Sequence, residues 1–445
     1  MNQILKITTD EAAGLFWHEV TFEAQEVQDC MHVVQYYPEL TYQTMEGFGG
    51  AFTESASHNF AQMNALAQQN MLTAYFGKSG LGYTLGRLSM NSCDFAMGNY
   101  TYIEENDETL ASFDISHDEK EILPLIQRAQ NAAGQNLKLL MAPWSPPAFM
   151  KDNGDMNHGG KLKKEYYSIW ADYYVKFIQA YRAHDVHITA TSVQNEPAAV
   201  QTWDSCIYSA SEEAEFAVEY LGPKLREAGL SDVDIYVWDH NKEILFERFS
   251  EAMQYPNAKE YIKGAAIHWY TGDHFESISM VKDVWPEANI IFTEGCVEYS
   301  RLADTNEVRK AEMYAHDMIG NLNAGISAWF DWNLFLDENG GPNHVGNFCA
   351  APIMCDLKKN TWEKRLSYYY IGHFSRYIQK GARRMAVTRY TDGVEACGFL
   401  NPDGSKVMVL LNKGAKDVEI TLREKGVGMP DIIRAHSIVT YICME

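Results

Sequence analysis

The 445 residues carry 60 acidic against 37 basic side chains, a formal net charge of −23. That balance excludes the basic footprint needed to hold nucleic acid or an anionic membrane surface. Hydrophobic and charged fractions of 46% and 22% are those of an ordinary globular chain.

The length suits one barrel domain of about 250 residues or more with a smaller companion. The eight cysteines are scattered without a CxxC pair, so zinc spacing is missing and free buried thiols are expected. No apolar run reaches membrane-spanning length and the N-terminus has no long apolar segment. The expectation is a cytoplasmic protein without membrane insertion; oligomeric state stays open.

Residues 1–44 alternate polar and apolar, as in Phe16–Phe22 and His32–Tyr36, and predict short antiparallel strands. From Met45 the pattern changes to short apolar strands alternating with helical stretches. The first strand is Met45–Gly50, followed by a helix from Ser55 to about Phe76; the second is Tyr83–Met90, with a helix at Glu119–Ala133. The third, Leu137–Ala142, leads through Pro143–Pro147 to a helix at Glu165–His184.

The fourth strand runs from His187 to Glu196, where Pro197 stops it and holds the two preceding residues extended; its helix is Ser211–Ala228. The remaining strands are Asp234–His240, Gly264–Tyr270, Asn289–Gly295 and Gly325–Asn333. Their helices fall at Lys242–Met253, Phe275–Trp285, Asn306–Leu322 and Ser367–Ile378. Eight such units predict an α/β fold with a closed (β/α)8 barrel over residues 45–380. After about Lys380 alternating strands return with turns at Tyr390–Gly393 and Asn401–Gly404. Residues 1–44 and 381–445 are therefore expected to pair into one β-sandwich side domain.

In such barrels the chemistry sits at the C-terminal ends of the strands. Polar residues there form a coherent set: Arg87 and Asp94, Trp144, Asn195 with Glu196, His268 and Tyr270, Glu294, and Trp332. Glu196 and Glu294 become two carboxylates at one barrel mouth, the machinery of glycoside hydrolysis. Competing readings are weaker. Arg87 and Asp94 could form a buried structural ion pair. Glu298, four residues past Glu294, reads as a solvated loop residue. Asp239-His240, and His268 with Asp273-His274, end different strands without HxxxH-type spacing, so no metal site is expected. Ser145 and Ser209 lack nucleophile-elbow glycines, which argues against an esterase.

Longer motifs carry a specific resemblance. Gly47–Glu54, Pro143–Pro147, Gln194-Asn-Glu-Pro197, His268-Trp-Tyr270, Thr293-Glu-Gly295, Asp331-Trp-Asn333 and Gly340–Asn343 occur in this order, and Gly372–Ile378 with Asn401–Ser405 extend the likeness to the tail. From about residue 44 onward the chain resembles glycoside hydrolase family 30, the family of lysosomal glucosylceramidase and its bacterial relatives. The resemblance implies a retaining β-glycosidase for a β-linked glucosyl or closely related residue, on a small-molecule or oligosaccharide β-glycoside. It implies Glu196 as acid/base, Glu294 as nucleophile, and Asn195 as partner of the sugar 2-hydroxyl. Arg87, Asp94, Trp144, Trp332 and Asn347 would shape the sugar pocket, and His268 and Tyr270 would orient Glu294. No cofactor is required, since side chains supply both catalytic groups.

An endo-β-1,6-glucanase or β-xylosidase shares this chemistry. A carbohydrate-binding protein without catalysis is disfavoured because both carboxylates are kept. Two departures from the lysosomal enzyme's pattern, His344 in place of Trp and the loop Thr202–Tyr208, are expected to border the leaving-group side.

Overall fold

The computed structural model describes residues 3–27, 31–302 and 305–444. Eight parallel strands close into a barrel: Gly47–Ala51, Leu85–Met90, Lys138–Pro143, Ile188–Ser192, Asp234–Asn241, Ile262–His268, Asn289–Glu294 and Ala328–Asn333. These strands are buried on both faces and so read as near-continuous apolar runs. The first can pack tightly because it is glycine-rich: a Cβ on Gly49 would lie 2.3 Å from the Leu85 carbonyl oxygen.

Alternation along the strands sets what lies inside. Leu85, Leu140, Tyr236, Ala266, Ile291, Ala328 and Phe330 form a closed apolar plug within the ring. Two residues further along the same faces stand Arg87, His268, Thr293 and Trp332, so the plug is the floor of a polar layer at the C-terminal mouth.

Two bulges on either side of the sixth strand complete that layer. Against the fifth strand the register jumps so that Ala266 pairs with Trp238 and Ile267 with His240, leaving Asp239 as the extra residue. Against the seventh, Ile267 pairs with Phe292 and His268 with Glu294, leaving Thr293 extra. Such bulges re-aim side chains. Here Trp238 and Asp239 take φ of +73° and +43°, and Asp239 turns into the barrel where strict alternation from Tyr236 would point it out.

Two helical expectations and one strand expectation change in detail. The predicted helix 55–76 is two, Glu54–Gln62 and Ala65–Phe76, because Asn64 caps the second by accepting from Ala67 N at 2.9 Å. The predicted helix 211–228 contains a π-helical turn at Phe216–Leu221. It precedes Pro223, which has no N–H to continue the regular ladder. The fourth strand stops at Ser192. Glu196 is not extended as expected of a residue before proline; its φ is +46°.

The flanking strands form one ten-stranded sheet. Gln3–Asp10 pairs with Ser437–Met444, and Val33–Thr44 with Arg383–Arg389, so both chain ends share it. Its two halves enclose a core that includes Ile4, Met408 and Tyr441 from one side and Val34, Leu422 and Ile433 from the other. The strand Lys406–Asn412 shows why the sheet docks on the barrel. Met408 and Leu410 enter the sandwich core, while Val407, Val409 and Leu411 join the barrel's outer core. Of the predicted free thiols, the seven described are free and buried; Cys30 lies outside the described residues. Among the described residues no helix is long and apolar enough to cross a membrane.

Candidate active site

A cavity of about 260 Å³ opens at the C-terminal mouth. Glu196 and Glu294 line it together with Asp94, Trp144, Asn195 and Tyr270; Trp332 and Asn347 complete its wall. Arg87 and His268 lie fully buried immediately beneath. The ten residues expected from the sequence are thus brought to one place.

Glu294 is held at both oxygens. Arg87 Nη1 donates to Oε2, and the Tyr270 hydroxyl donates to Oε1 at 2.9 Å. The same guanidinium donates through Nη2 to Asn195 Oδ1 at 2.8 Å and Asp239 Oδ2 at 2.9 Å. Arg87 is therefore not paired with Asp94, the competing structural reading. Its guanidinium lies 4.9 Å from the Trp144 ring centroid and 5.4 Å from that of Trp332. Those two indoles stack at 5.3 Å and 18°, giving the pocket an aromatic wall over a charged floor.

Glu196 has different company. Its Oε1 lies 3.2 Å from His268 Nδ1 and 3.5 Å from His240 Nδ1, and Gln201 Nε2 donates to Oε2 at 3.4 Å. The expectation that His268 orients Glu294 is corrected: the ring contacts Glu196 on one side and Asp239 on the other, and only Tyr270 of the two reaches Glu294. The Glu196 turn is fixed by the backbone, with Asn195 N donating to Pro143 O at 2.9 Å and Glu196 N to Asp239 O at 3.0 Å. A non-glycine residue at positive φ is strain held by its surroundings, of about 1–3 kcal/mol.

Asp239 joins the two halves, and the sequence reading missed it as a site residue. It accepts from Arg87, from Ser192 Oγ and Thr293 Oγ1 at 2.6 Å each, and faces His268 Nε2 at 3.0 Å. Asp239-His240-Asn241 ends a barrel strand, but strict alternation from Tyr236 points Asp239 outward, and only the bulge turns it into the site. Asn241, His240, Gln201, Thr271 and Arg301 also line the cavity. Glu298, expected to be a solvated loop residue, lines it too, half-buried in a short strand and paired with Arg301 at 3.1 Å. Trp203 is at the cavity, as its loop predicted. His344 is not in its lining; the ring packs behind, 3.2 Å from the Ala96 carbonyl and 3.9 Å from Asp204.

Burial is the largest influence on Asp94, Glu294, Glu196 and His268. It pushes Asp94 up to about 8, the charge of Glu294 adding to it and the amides of Asn347 and Asn343 opposing. Burial also raises Glu294, against the charges of His268 and Arg87. Glu196 is held below the usual carboxylate range despite burial, by His240 and then His268; burial lowers His240 itself, so His268 is the partner that counts. His268 stands at about 9, its burial overcome by the charge of Glu294 and by its bonds to Asp239 and Glu196. The surroundings thus favour the charged form of His268 and the carboxylate form of Glu196.

A closed parallel barrel with two carboxylates in one pocket at its mouth, one anchored by a guanidinium and the other beside imidazoles, defines a barrel glycoside hydrolase. The chain belongs to glycosyl hydrolase family 30. Residues 45–378 match the model of the glycosyl hydrolase family 30 TIM-barrel domain, and residues 381–441 that of the family's beta sandwich domain. The lysosomal acid glucosylceramidase of Mus musculus is 31% identical over 424 residues, covering 91% of this chain and 82% of that protein. The crystal structure of SrfJ from Salmonella typhimurium is similar over 100% of both chains, with a TM-score of 0.97 and 39% identity. The endo-β1,6-glucanase BT3312 is similar over the same full lengths, with a TM-score of 0.90 and 27% identity.

Proposed function

We propose that the protein removes a single β-linked glucosyl, or closely related, residue from a small glycoside such as a glucosylceramide-type glycolipid. Glu294 is the nucleophile and Glu196 the acid/base. The observation that carries the role assignment is the unequal company of the two carboxylates. A nucleophile must attack as an anion from a fixed place, and Glu294 is clamped by Arg87 and Tyr270. An acid/base must receive and return a proton, and Glu196 sits 3.2 Å from an imidazole able to do both.

In the first step Glu294 attacks the anomeric carbon while Glu196, having taken the proton from His268 Nδ1, delivers it to the departing oxygen. In the second, water attacks the anomeric carbon and displaces the Glu294 carboxylate, giving a proton to Glu196, which returns it to His268 Nδ1. Two inversions retain the configuration. Asn195, whose Oδ1 is occupied by Arg87, keeps its amide N–H groups for the sugar 2-hydroxyl.

The size of the cavity supports exo action, because about 260 Å³ is at the small end of ligand pockets, which run to roughly 300–1,000 Å³. The second reading is an endo-acting β-1,6-glucanase, favoured by the full-length similarity to BT3312. Free buried cysteines fit work in a reducing compartment such as the cytoplasm.

Two measurements test these readings. Glu294→Ala should abolish turnover of an aryl β-glucoside, and azide should restore part of it as the α-glycosyl azide; undiminished hydrolysis by the variant would sink the assignment. A panel of p-nitrophenyl β-glycosides, glucosylceramide and β-1,6-glucan decides the substrate. Mid-chain oligosaccharides from the glucan would replace the exo reading with the endo one.

A further inference from the structure

His240 is left unused by hydrolysis. It ends the fifth strand at the cavity wall, its side chain 12% exposed, and its Nδ1 makes no hydrogen bond among the described residues, yet it lies 3.5 Å from Glu196 Oε1. His268 Nδ1 lies 3.2 Å from the same oxygen, and one ligand atom from each of the three residues falls within 4.8 Å of the others. Spacing along the chain argues against a metal at His240 and His268, which end different strands; the curvature of the barrel, not a local spacing, brings them beside Glu196.

We propose that Glu196, His240 and His268 form a binding site for a divalent transition-metal ion of the zinc type, and that the ion inhibits the enzyme reversibly by occupying the acid/base. The distances suit it. Tetrahedral zinc with ligands at about 2.0–2.2 Å separates neighbouring ligand atoms by roughly 3.3–3.5 Å. The two contacts to Glu196 already have that spacing, and a small rotation of either imidazole brings the remaining pair into range.

The supporting shell is also present. His268 Nε2 faces Asp239 Oδ1 at 3.0 Å, the carboxylate–histidine arrangement that orients a metal-binding ring and leaves its other nitrogen for the ion. Asp239 is itself fixed by Arg87, Ser192 and Thr293. The fourth ligand position would face the sugar cavity, which Glu196 and His240 line. Two imidazoles with one carboxylate select zinc, copper or nickel over magnesium or calcium, which prefer all-oxygen sets.

Coordination takes the Glu196 oxygen that must carry the proton, so bound metal and hydrolysis are mutually exclusive. This consequence rests on the acid/base role of Glu196; the site itself does not. Equilibrium dialysis of the chelator-stripped, full-length protein against Zn2+, with the visible spectrum of the Co2+ form as a second readout, tests the site directly. Wild type should bind one ion per chain with a tetrahedral Co2+ spectrum. His240→Ala, His240→Gln and Glu196→Gln, each shown to be folded by circular dichroism, should bind at least about tenfold more weakly, since even supporting-shell changes lose 10–100-fold. Zn2+ should inhibit wild type competitively with an aryl β-glucoside, with an inhibition constant at least about tenfold higher in His240→Ala. Equal Zn2+ binding by wild type and all three variants, or none by wild type, overturns the site. Binding that depends on these residues but leaves wild-type hydrolysis untouched keeps the site and overturns the acid/base role of Glu196.

Discussion

Replacing Arg87 by Met tests whether the buried guanidinium keeps Glu294, the proposed nucleophile, ionised. The side chain is fully buried and serves two carboxylates, Glu294 and Asp239. Removing one partner of a buried pair typically costs about 3–5 kcal/mol, because a charge is left without compensation. The attraction alone, about 4 kcal/mol for unit charges 4 Å apart at an effective dielectric of 20, corresponds to about three pKa units at 1.36 kcal/mol each. His268 remains as a positive neighbour, so the expected rise for Glu294 is about one to two units. The sign follows from its role. Burial already raises Glu294 and Arg87 opposes it, so removing Arg87 raises it further, and activity is lost on the acid side at higher pH than in wild type. The assay is kcat/KM against pH on an aryl β-glucoside. Arg87→Met should move the acid limb upward by at least one unit and recover part of its activity as pH rises. Arg87→Lys, which keeps the charge but not the planar fork, should leave the limb nearly in place while lowering the plateau. An acid limb unmoved in Arg87→Met, with activity lowered uniformly, would refute the electrostatic role.

Asp94, pushed up to about 8 by burial and by Glu294, is protonated near pH 6, so an amide should imitate it there. Asp94→Asn is expected to stay within about tenfold of wild type at that pH, whereas Asp94→Ala leaves the amides of Asn343 and Asn347 without their acceptor, at about 1–3 kcal/mol; equal losses in the two would count against a neutral Asp94. Gly264→Ala should destabilise the fold by more than the about 1–3 kcal/mol usual for overpacking, since its Cβ would stand 1.7 Å from the Asn289 carbonyl oxygen on the next strand; an unchanged urea midpoint would contradict that packing. His117 stands at about 9 despite burial, through bonds to Asp118 and Glu54. Its folded value exceeds the ordinary 6.5, so its contribution is complete below about pH 6.5 and disappears as pH rises through 9. His117→Gln should therefore flatten the decline of the denaturation midpoint across that window, and an identical decline in both proteins would rule the contribution out.

What could be read before any coordinates followed from local rules. Strand-end positions found Arg87, Glu196, Glu294 and Trp332 because parallel barrels place both apolar plug and polar mouth by simple alternation. The same rule, applied strictly, hid Asp239. Alternation from Tyr236 sends it outward, and only the bulge at Trp238–Asp239 turns it into the centre of the site. Bulges have no reliable signature in one sequence, since they depend on the register of two neighbouring strands. Glu298 was misjudged for a related reason. It lies past its strand, but a two-residue pairing with Cys349 folds it back to the rim. The π-helical turn before Pro223 was readable in principle, whereas His240 and His268 are rejected as a metal pair on chain spacing because neighbouring barrel strands bring together residues far apart in sequence.

Of the two carboxylates proposed as catalytic, Glu196 is shifted down and Glu294 up, so titration alone does not mark Glu196 as the acid. What separates them is the partner each would exchange with when a sugar fills the cavity. Sugar binding expels water and strengthens every remaining interaction. For Glu294 the strengthened partner is a guanidinium, which gives up no proton, so the carboxylate becomes a better-held anion. For Glu196 it is an imidazolium 3.2 Å away, and in a drier pocket an adjacent charged pair is disfavoured relative to the neutral pair formed by moving one proton. On the proposed roles, substrate binding would thus deliver the proton to the carboxyl that donates it. Asp239 sets the direction of that transfer, because its bond to His268 Nε2 keeps the other ring nitrogen as the one that releases. Asp239 is therefore a positioning residue for the acid/base, and Asp239→Asn should lower kcat more than it raises KM; a loss confined to KM would place it in sugar binding instead.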